Sequence, residues 1–257
     1  MKKARFLIVA ICVALSVCCA EAVFAATVEE GLVLLKQRRD SEAKEVFAQV
    51  LASEPQNIDA QWGEAELLRR RGDYVEAERI YQEILSKNPE YIPALLSLGL
   101  QYCKLNKLKE VTLLIGRVSK LNILSSDDYS MLFVLLGAFN SKKAEQGGLV
   151  AKIRYGSQIK GYFKKAVALA PDLPDARLGL GTYYLFAPAV AGGNLNQAIK
   201  ELEYATNLAP RFASAYARLA QAYQKKKDIK HYNFYLHKAR EIDAQNEVVQ
   251  ELLQVSL

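Results

Sequence analysis

The chain has 257 residues, 51% hydrophobic and 24% charged, with a formal net charge of +6 at pH 7 and four cysteines. That length is ample for one domain and requires no second. No low-complexity linker interrupts it, and past the N-terminus no segment is apolar enough to span a bilayer.

The chain opens with Lys2, Lys3 and Arg5, followed by an apolar run from Phe6 to Ala20 and by Val23-Phe24-Ala25, which fits a signal-peptidase site before Ala26. These are the three regions of a secretory signal peptide, residues 1–25. The run of about 15 apolar residues is shorter than the roughly 20 that cross a bilayer. The expectation is cleavage and a periplasmic or otherwise exported protein, with an uncleaved N-terminal membrane anchor as the alternative. Cys18 and Cys19 end the run without the small residue expected before a lipidated cysteine. Cleavage removes Lys2, Lys3, Arg5 and Glu21, lowering the formal charge from +6 to +4, and removes Cys12, Cys18 and Cys19. Only Cys103 then remains, so no internal disulfide can form and stability must come from helix packing.

A first helix starts near Thr27 and ends near Lys36. The pattern is clearest in the next unit, Ile58–Pro89. Ala65, Leu67 and Leu68 form one helical stripe, Gly72-Asp73 breaks the chain, and Ala77, Ile80, Tyr81, Ile84 and Leu85 form a second stripe ended by Asn88-Pro89. Thirty-four residues earlier the same types recur at Gly31, Leu34, Ala43, Phe47, Val50 and Pro55, and thirty-four later at Gly99, Tyr102, Val111, Ile115 and Val118. One such hairpin leaves apolar surface uncovered at both ends, so the units must stack. The units run 27–57, 58–91, 92–125, 126–173, 174–212 and 213–246, with a cap over 247–257. In the third, Pro93 suits a first helical turn; the terminal proline is lost and Val111 replaces a small residue, which predicts looser packing.

The fourth unit has Asp127 and Asp128 as caps for a helix through Met131, Leu132, Val134, Leu135 and Leu136, and a second helix over Ile159–Ala170. About 14 extra residues, Lys142–Tyr155, lie between, with Gly147-Gly148 inside them. The fifth carries Leu180-Gly181 and Tyr184, then an extra stretch Phe186–Gly193 before Asn194, a natural cap. The sixth returns to standard length through Leu219-Ala220, Tyr223, Lys227-Asp228, Leu236 and Ala239. A last helix, Glu247–Val255, is amphipathic through Val248, Leu252 and Val255 and should cover the final open face.

These packing positions resemble the tetratricopeptide repeat family, whose signature runs apolar, Leu-Gly and Tyr on one helix, then Ala, aromatic, Ala and Pro on the next. The resemblance implies an all-α, right-handed superhelical solenoid of about six hairpins plus a capping helix. First helices would line a concave surface and second helices an outer wall. It implies binding of proteins or peptides rather than a reaction, with no cofactor. The first-helix YYL, the APAVAGGN turn and the AIKELEYATNLAP helix of unit five look like those of exported bacterial members. In the family, certain first-helix positions face the groove. Here they are Val28, Leu32 and Leu35; Trp62, Glu66 and Arg69; Leu96, Leu100 and Cys103; Leu178, Thr182 and Leu185; and Ala217, Gln221 and Gln224. The Lys and Asn that clasp a peptide's terminal carboxylate in some members are absent.

Three features bear on binding. The groove positions of the first three units are mostly apolar, so Leu32, Trp62, Leu96 and Leu100, with Leu178 of the fifth unit, are candidate contacts for an apolar or amphipathic ligand; the alternative is that the superhelix curls and buries them, or that the first helix frays. The two extra stretches carry Leu149, Ile153, Tyr155, Phe186, Pro188 and Val190, and Tyr155 with Phe186 is expected to form one partner surface at the groove's rim. The alternative there is a helical extension packed on its neighbour. Basic residues (Lys36, Arg38 and Arg39; Arg69–Arg71; Lys104, Lys107 and Lys109; Lys142 and Lys143; Lys225–Lys227) fall at the turn inside every unit but the fifth, which serves helix C-termini or could face anionic lipid head groups or an acidic partner.

No catalytic or metal site is expected. His231 and His237, six apart, lie about 240° apart around a helix and cannot chelate one ion from one face. Gly192-Gly193-Asn194 lacks the Lys-Ser/Thr of a phosphate loop and reads as a turn needing positive φ, with Asn194 as a cap. Export argues against nucleic acid. The reading is a non-enzymatic scaffold engaging a protein or peptide through the groove and the turn edge. Alternatives are an accessory subunit of a periplasmic solute-transport system holding a small lipophilic ligand in the groove, and a scaffold that self-assembles into an oligomer.

Overall fold

The computed structural model describes residues 26–121 and 125–255. The expected signal peptide and residues 256–257 of the cap lie outside the described residues. Among those described there are thirteen α-helices, one 3-10 turn and no strand. The helices pair as hairpins: α1 (Val28–Lys36) with α2 (Asp40–Ser53), α3 (Ile58–Arg71) with α4 (Tyr74–Lys87), α5 (Ile92–Lys104) with α6 (Leu108–Val118), α7 (Ser126–Gln146) with α8 (Leu149–Leu169), α9 (Pro174–Phe186) with α10 (Leu195–Leu208), and α11 (Ala213–Lys225) with α12 (Ile229–Ile242). The closing helix is α13 (Glu247–Val255).

Local chemistry sets the ends. The side chains of Thr27, Asn57, Asn194 and Asp228 each accept a hydrogen bond from a backbone N–H in the first turn of α1, α3, α10 and α12. Helix α7 is capped differently from expectation: Ser125, not Asp127, is the cap, and Asp128 completes a reciprocal capping box with it. Inside the units, Gly72 turns the chain with φ of 92°, and the same left-handed backbone recurs at Arg38, Asn106 and Lys227 with φ of 61–62°. Glycine adopts that conformation freely; the other three bear a steric cost.

Packing follows a large-against-small rule. Phe47 has no solvent exposure, and a Cβ built on Gly31 or Gly63 would stand 2.4 Å or 2.3 Å from its ring. The ring therefore fills the gap between its own unit's first helix and that of the next. Phe163 sits likewise between Gly137 and Gly179, at 2.6 Å and 2.3 Å. Leu135 fills the space over Gly99 and Leu202 that over Gly181, each at 2.7 Å from a Cβ built there, so neither position has room for a larger side chain. The third unit is not loose: Val111 and Val118 are fully buried. Val248, Val249 and Leu252 of α13 are buried in one cluster with Ala217, Ala220 and Tyr223, so α13 covers the last hairpin. The side chain of Val255 lies outside the described residues.

The extra residues of the fourth unit are helical. Both α7 and α8 run 21 residues, against 14 in α3 and α4, and turn at Gly147-Gly148. The stretch Lys142–Tyr155, read as an insertion, is thus the end of α7, the Gly147-Gly148 turn and the start of α8, and the second helix begins at Leu149, ahead of the expected Ile159. In the fifth unit a 3-10 turn (Ala189–Ala191) leads to Gly192, whose φ of 85° fits the expected turn, while Gly193 needs closeness rather than positive φ: a Cβ there would lie 1.8 Å from the Ala187 carbonyl oxygen.

Candidate interaction surface

The positions expected to face the groove are largely occupied by contacts within the chain. The Glu66 carboxylate, 4% exposed, accepts hydrogen bonds from Arg69 Nε (2.9 Å), Arg69 Nη2 (2.7 Å) and the Tyr81 hydroxyl (2.6 Å). Burial alone would raise its pKa, but the charges of Arg69 and Arg70 with the Tyr81 hydrogen bond hold it well below the usual carboxylate range. Arg70 donates to the Leu35 carbonyl (2.8 Å) and to Asp40 (2.7 Å), and burial with the neighbouring Arg38 lowers its pKa to about 10. The Trp62 indole N–H donates to Ser97 Oγ at 3.0 Å. Leu96 is 2% exposed and offers nothing to a partner. Cys103 is buried and its thiol is pushed up to about 12 by that burial. Leu32, Leu100 and Leu178 are half-buried, each packed against an internal cluster.

Cross-braces join the two halves of the superhelix. In the first intra-unit turn, Lys36 pairs with Asp172 at 2.8 Å and with Asp127 at 3.7 Å, and Arg38 pairs with Asp175 at 2.6 Å across 137 residues. The Arg38 guanidinium also lies 4.2 Å from the centre of the Phe212 ring, and its side chain is 9% exposed. Lys104 in the third unit pairs with Glu247 at the start of α13. Further basic turn residues are neutralised locally: Arg71 by Asp73, Lys107 by Glu78 and Lys142 by Glu145. The Glu66–Arg69 pair was legible from its three-residue helical spacing. Nothing in the sequence signals that Arg38 meets Asp175.

Other apolar groups remain in solvent. At the tip of the α7–α8 hairpin Leu149, Val150 and Ile153 are 74%, 79% and 65% exposed. Phe186 and Val190 are exposed at the end of α9 and in the following turn. The two enlarged regions are neighbours, because Lys160 of α8 lies over the Tyr184 ring at 5.3 Å and its amine abuts Gly192. Tyr155 and Phe186 do not form one patch by contact. Tyr155 is half-buried beside Arg154, whereas Phe186 faces α11, with Lys225 at 4.8 Å and Arg218 at 5.2 Å from its ring centre. Lys225 also donates to the Leu185 carbonyl at 2.7 Å. An open surface groove that the sequence did not suggest runs between α4, α5 and α6, lined by Leu85, Leu98, Tyr102, Leu113 and Arg117 among others. His231 stacks on Tyr223 at 4.8 Å and contacts Asp228 at 2.7 Å, while His237 stands apart near Glu241. Among the described residues no group of three or more His, Cys, Asp or Glu is placed to hold a metal ion. No described helix is long and apolar enough to cross a membrane.

Comparison with known proteins agrees with this geometry. The family model described as tetratricopeptide repeat matches residues 34–101. A thermophilic TPR protein of Thermus thermophilus, TTC0263, superposes with a TM-score of 0.58 at 18% identity, covering 75% of this chain and 95% of that one. The APC/C hetero-tetramer Cut9–Hcn1 gives 0.57 at 19% identity over 90% of this chain and 42% of the other. A tetratricopeptide repeat protein from Parabacteroides merdae gives 0.51 at 18%, covering 88% and 81%. These likenesses concern the fold, and no enzymatic family is indicated. The hairpin matched over residues 34–101 is followed by further hairpins with large-against-small contacts at Leu135, Phe163 and Leu202, and the fold is that of a tetratricopeptide-repeat-like helical solenoid.

Proposed function

We propose that this chain is an exported, non-enzymatic interaction scaffold that engages a protein or peptide beside its concave face. The observation that carries the reading is the surface around Phe186. There the exposed Phe186 ring lies 4.8 Å from Lys225 and 5.2 Å from Arg218, which also stands 3.8 Å from Glu251, and the exposed Val190 follows in the next turn. Aromatic and Arg groups supply most of the binding energy in protein interfaces, and an apolar ring rimmed by positive charge suits a segment with an apolar residue beside an acid. Export rests on the N-terminal pattern of residues 1–25. The lipophilic-ligand alternative draws little support from a concave face where Leu96 is buried and Glu66 and Arg69 are paired.

The test places a photo-crosslinking residue at Val190 in the tagged full-length protein, expressed in its own cells, with Val75 on α4 as an equally exposed control. A discrete protein adduct from position 190, absent from 75 and lost in Phe186→Ser, is the expected result. Identical products at both positions, or none at 190, would refute the surface. Mass analysis of the recovered chain tests export separately: it should begin at Ala26 and fractionate with the envelope.

A further inference from the structure

The α7–α8 hairpin carries much of the protein's positive charge: seven Lys and Arg against three acids, two of which, Asp127 and Asp128, lie in the first turn of α7 and leave Glu145 as the one acid from residue 129 to 171. Elsewhere the basic residues are largely matched by acids, often through the cross-braces described above. In the hairpin they are not. Lys142 is paired with Glu145, but among the described residues Lys152, Arg154 and Lys164 are exposed and have no acidic partner.

The same hairpin carries the exposed aliphatic tip. With about 100° of rotation per helical residue, Leu149, Ile153 and Val150 span an arc of about 100° on α8, with Lys152 about 60° beyond one side and Arg154 about 40° beyond the other. An apolar stripe bordered on both sides by long basic chains is the arrangement that lies in a bilayer interface. The aliphatic groups enter the acyl boundary, and the Lys and Arg stems lie along it with their charges among the head groups. The seven residues by which α7 and α8 exceed α3 and α4 carry the tip about 10 Å further out. A flat surface can therefore meet it. A protein partner would be expected to find an aromatic anchor or a pocket, and the tip has neither: it is aliphatic, and a Cβ at Gly148 would meet nothing within 4 Å.

We infer that the tip of the α7–α8 hairpin docks on an anionic lipid surface through Leu149, Val150 and Ile153, guided by Lys152 and Arg154. This surface is distinct from the one around Phe186, and either can fail without the other.

The experiment uses the full chain with Cys12, Cys18 and Cys19 replaced by serine. Cys103 is retained because it is buried and burial keeps its thiol protonated at neutral pH. An environment-sensitive fluorophore is attached at Gly148→Cys or Gly161→Cys, both sites where a side chain meets open space. Position 161 is on the same helix about 20 Å from the tip, so it controls for anchoring through the N-terminal segment. Vesicles contain lipids with a quencher in the acyl chain, either with phosphatidylcholine alone or with one quarter phosphatidylglycerol. Quenching is expected at 148 and not at 161, only with the anionic vesicles. It should fall about tenfold or more in apparent affinity in Lys152→Glu/Arg154→Glu, and also in Leu149→Ser/Val150→Ser/Ile153→Ser. All five replaced residues are exposed, so circular dichroism should show unchanged melting. Absence of quenching at 148, equal quenching at both positions, or quenching indifferent to lipid charge would overturn the proposal. Crosslinking of position 148 to an acidic protein without quenching would overturn it in favour of a protein partner.

Discussion

Replacing Gly63 with alanine tests whether the solenoid is held by rings wedged between glycines. By helix propensity alone, glycine to alanine within α3 should stabilise by about 0.5–1 kcal/mol. Here the new Cβ would stand 2.3 Å from the Phe47 ring, far inside van der Waals contact, and the ring cannot retreat because Gly31 lies equally close on its other side. Overpacking of this kind costs about 1–3 kcal/mol, so Gly63→Ala should be net destabilising by about 1–2 kcal/mol. Phe47→Leu alone opens a gap in a site with no exposure and should cost about 1–3 kcal/mol. With the ring gone, however, alanine at 63 has room and should be neutral or mildly stabilising. The double-mutant cycle should therefore show a favourable coupling of about 2 kcal/mol. Urea unfolding followed by circular dichroism gives the four values, with Gly161→Ala, at an open site on α8, as a control expected to stabilise by about 0.5–1 kcal/mol. If Gly63→Ala raises the unfolding midpoint, or if the two substitutions add within about 0.5 kcal/mol, the wedge is not what sets the spacing of units one and two.

Arg38→Met removes the brace to Asp175 and the cation over the Phe212 ring; it should cost about 1–3 kcal/mol and speed hydrogen exchange in α1 and α2, and unchanged exchange would show the halves are held without it. Lys227→Gly, at a left-handed turn position equivalent to Gly72, should stabilise by about 1 kcal/mol, read as a higher urea midpoint. The pH dependence of Glu66 has a definite sign. Its folded pKa lies below the ordinary value of 4.5, so its stabilisation is fully present above that value and is lost progressively as pH falls below it. The stability difference between the protein and Glu66→Gln should thus be constant from pH 7 to about 5 and shrink below about 4.5; a difference that instead grows toward acid would contradict the pairing.

The hairpins were legible because they rest on local chemistry. Gly31, Ala65 and Gly99, spaced by 34 residues, are each buried in a first helix; Gly31 meets Phe47 of its own unit and Gly99 meets Leu135 of the next. The final helix was equally readable from Val248 and Leu252, which are buried at the end of the stack. The fourth unit was harder. Lys142–Tyr155 broke the period and contained two adjacent glycines, so it resembled a loop, yet symmetrical lengthening of both helices keeps their i to i+4 hydrogen bonds and adds no irregular backbone.

The sequence by itself determined that the chain is a stack of helical hairpins and, in the units of standard length, where the helices turn, because those features depend on neighbours one unit apart. Only the tertiary structure decided how the stack closes. Whether Arg38 reaches Asp175, or Lys104 reaches Glu247, depends on the small rotation at each junction summed over several units. No local pattern records that sum. It turns basic residues that read as a free edge into internal braces, takes Leu96 and Glu66 from an expected groove into contacts within the chain, and leaves the hairpin tip and the Phe186 surface facing outward.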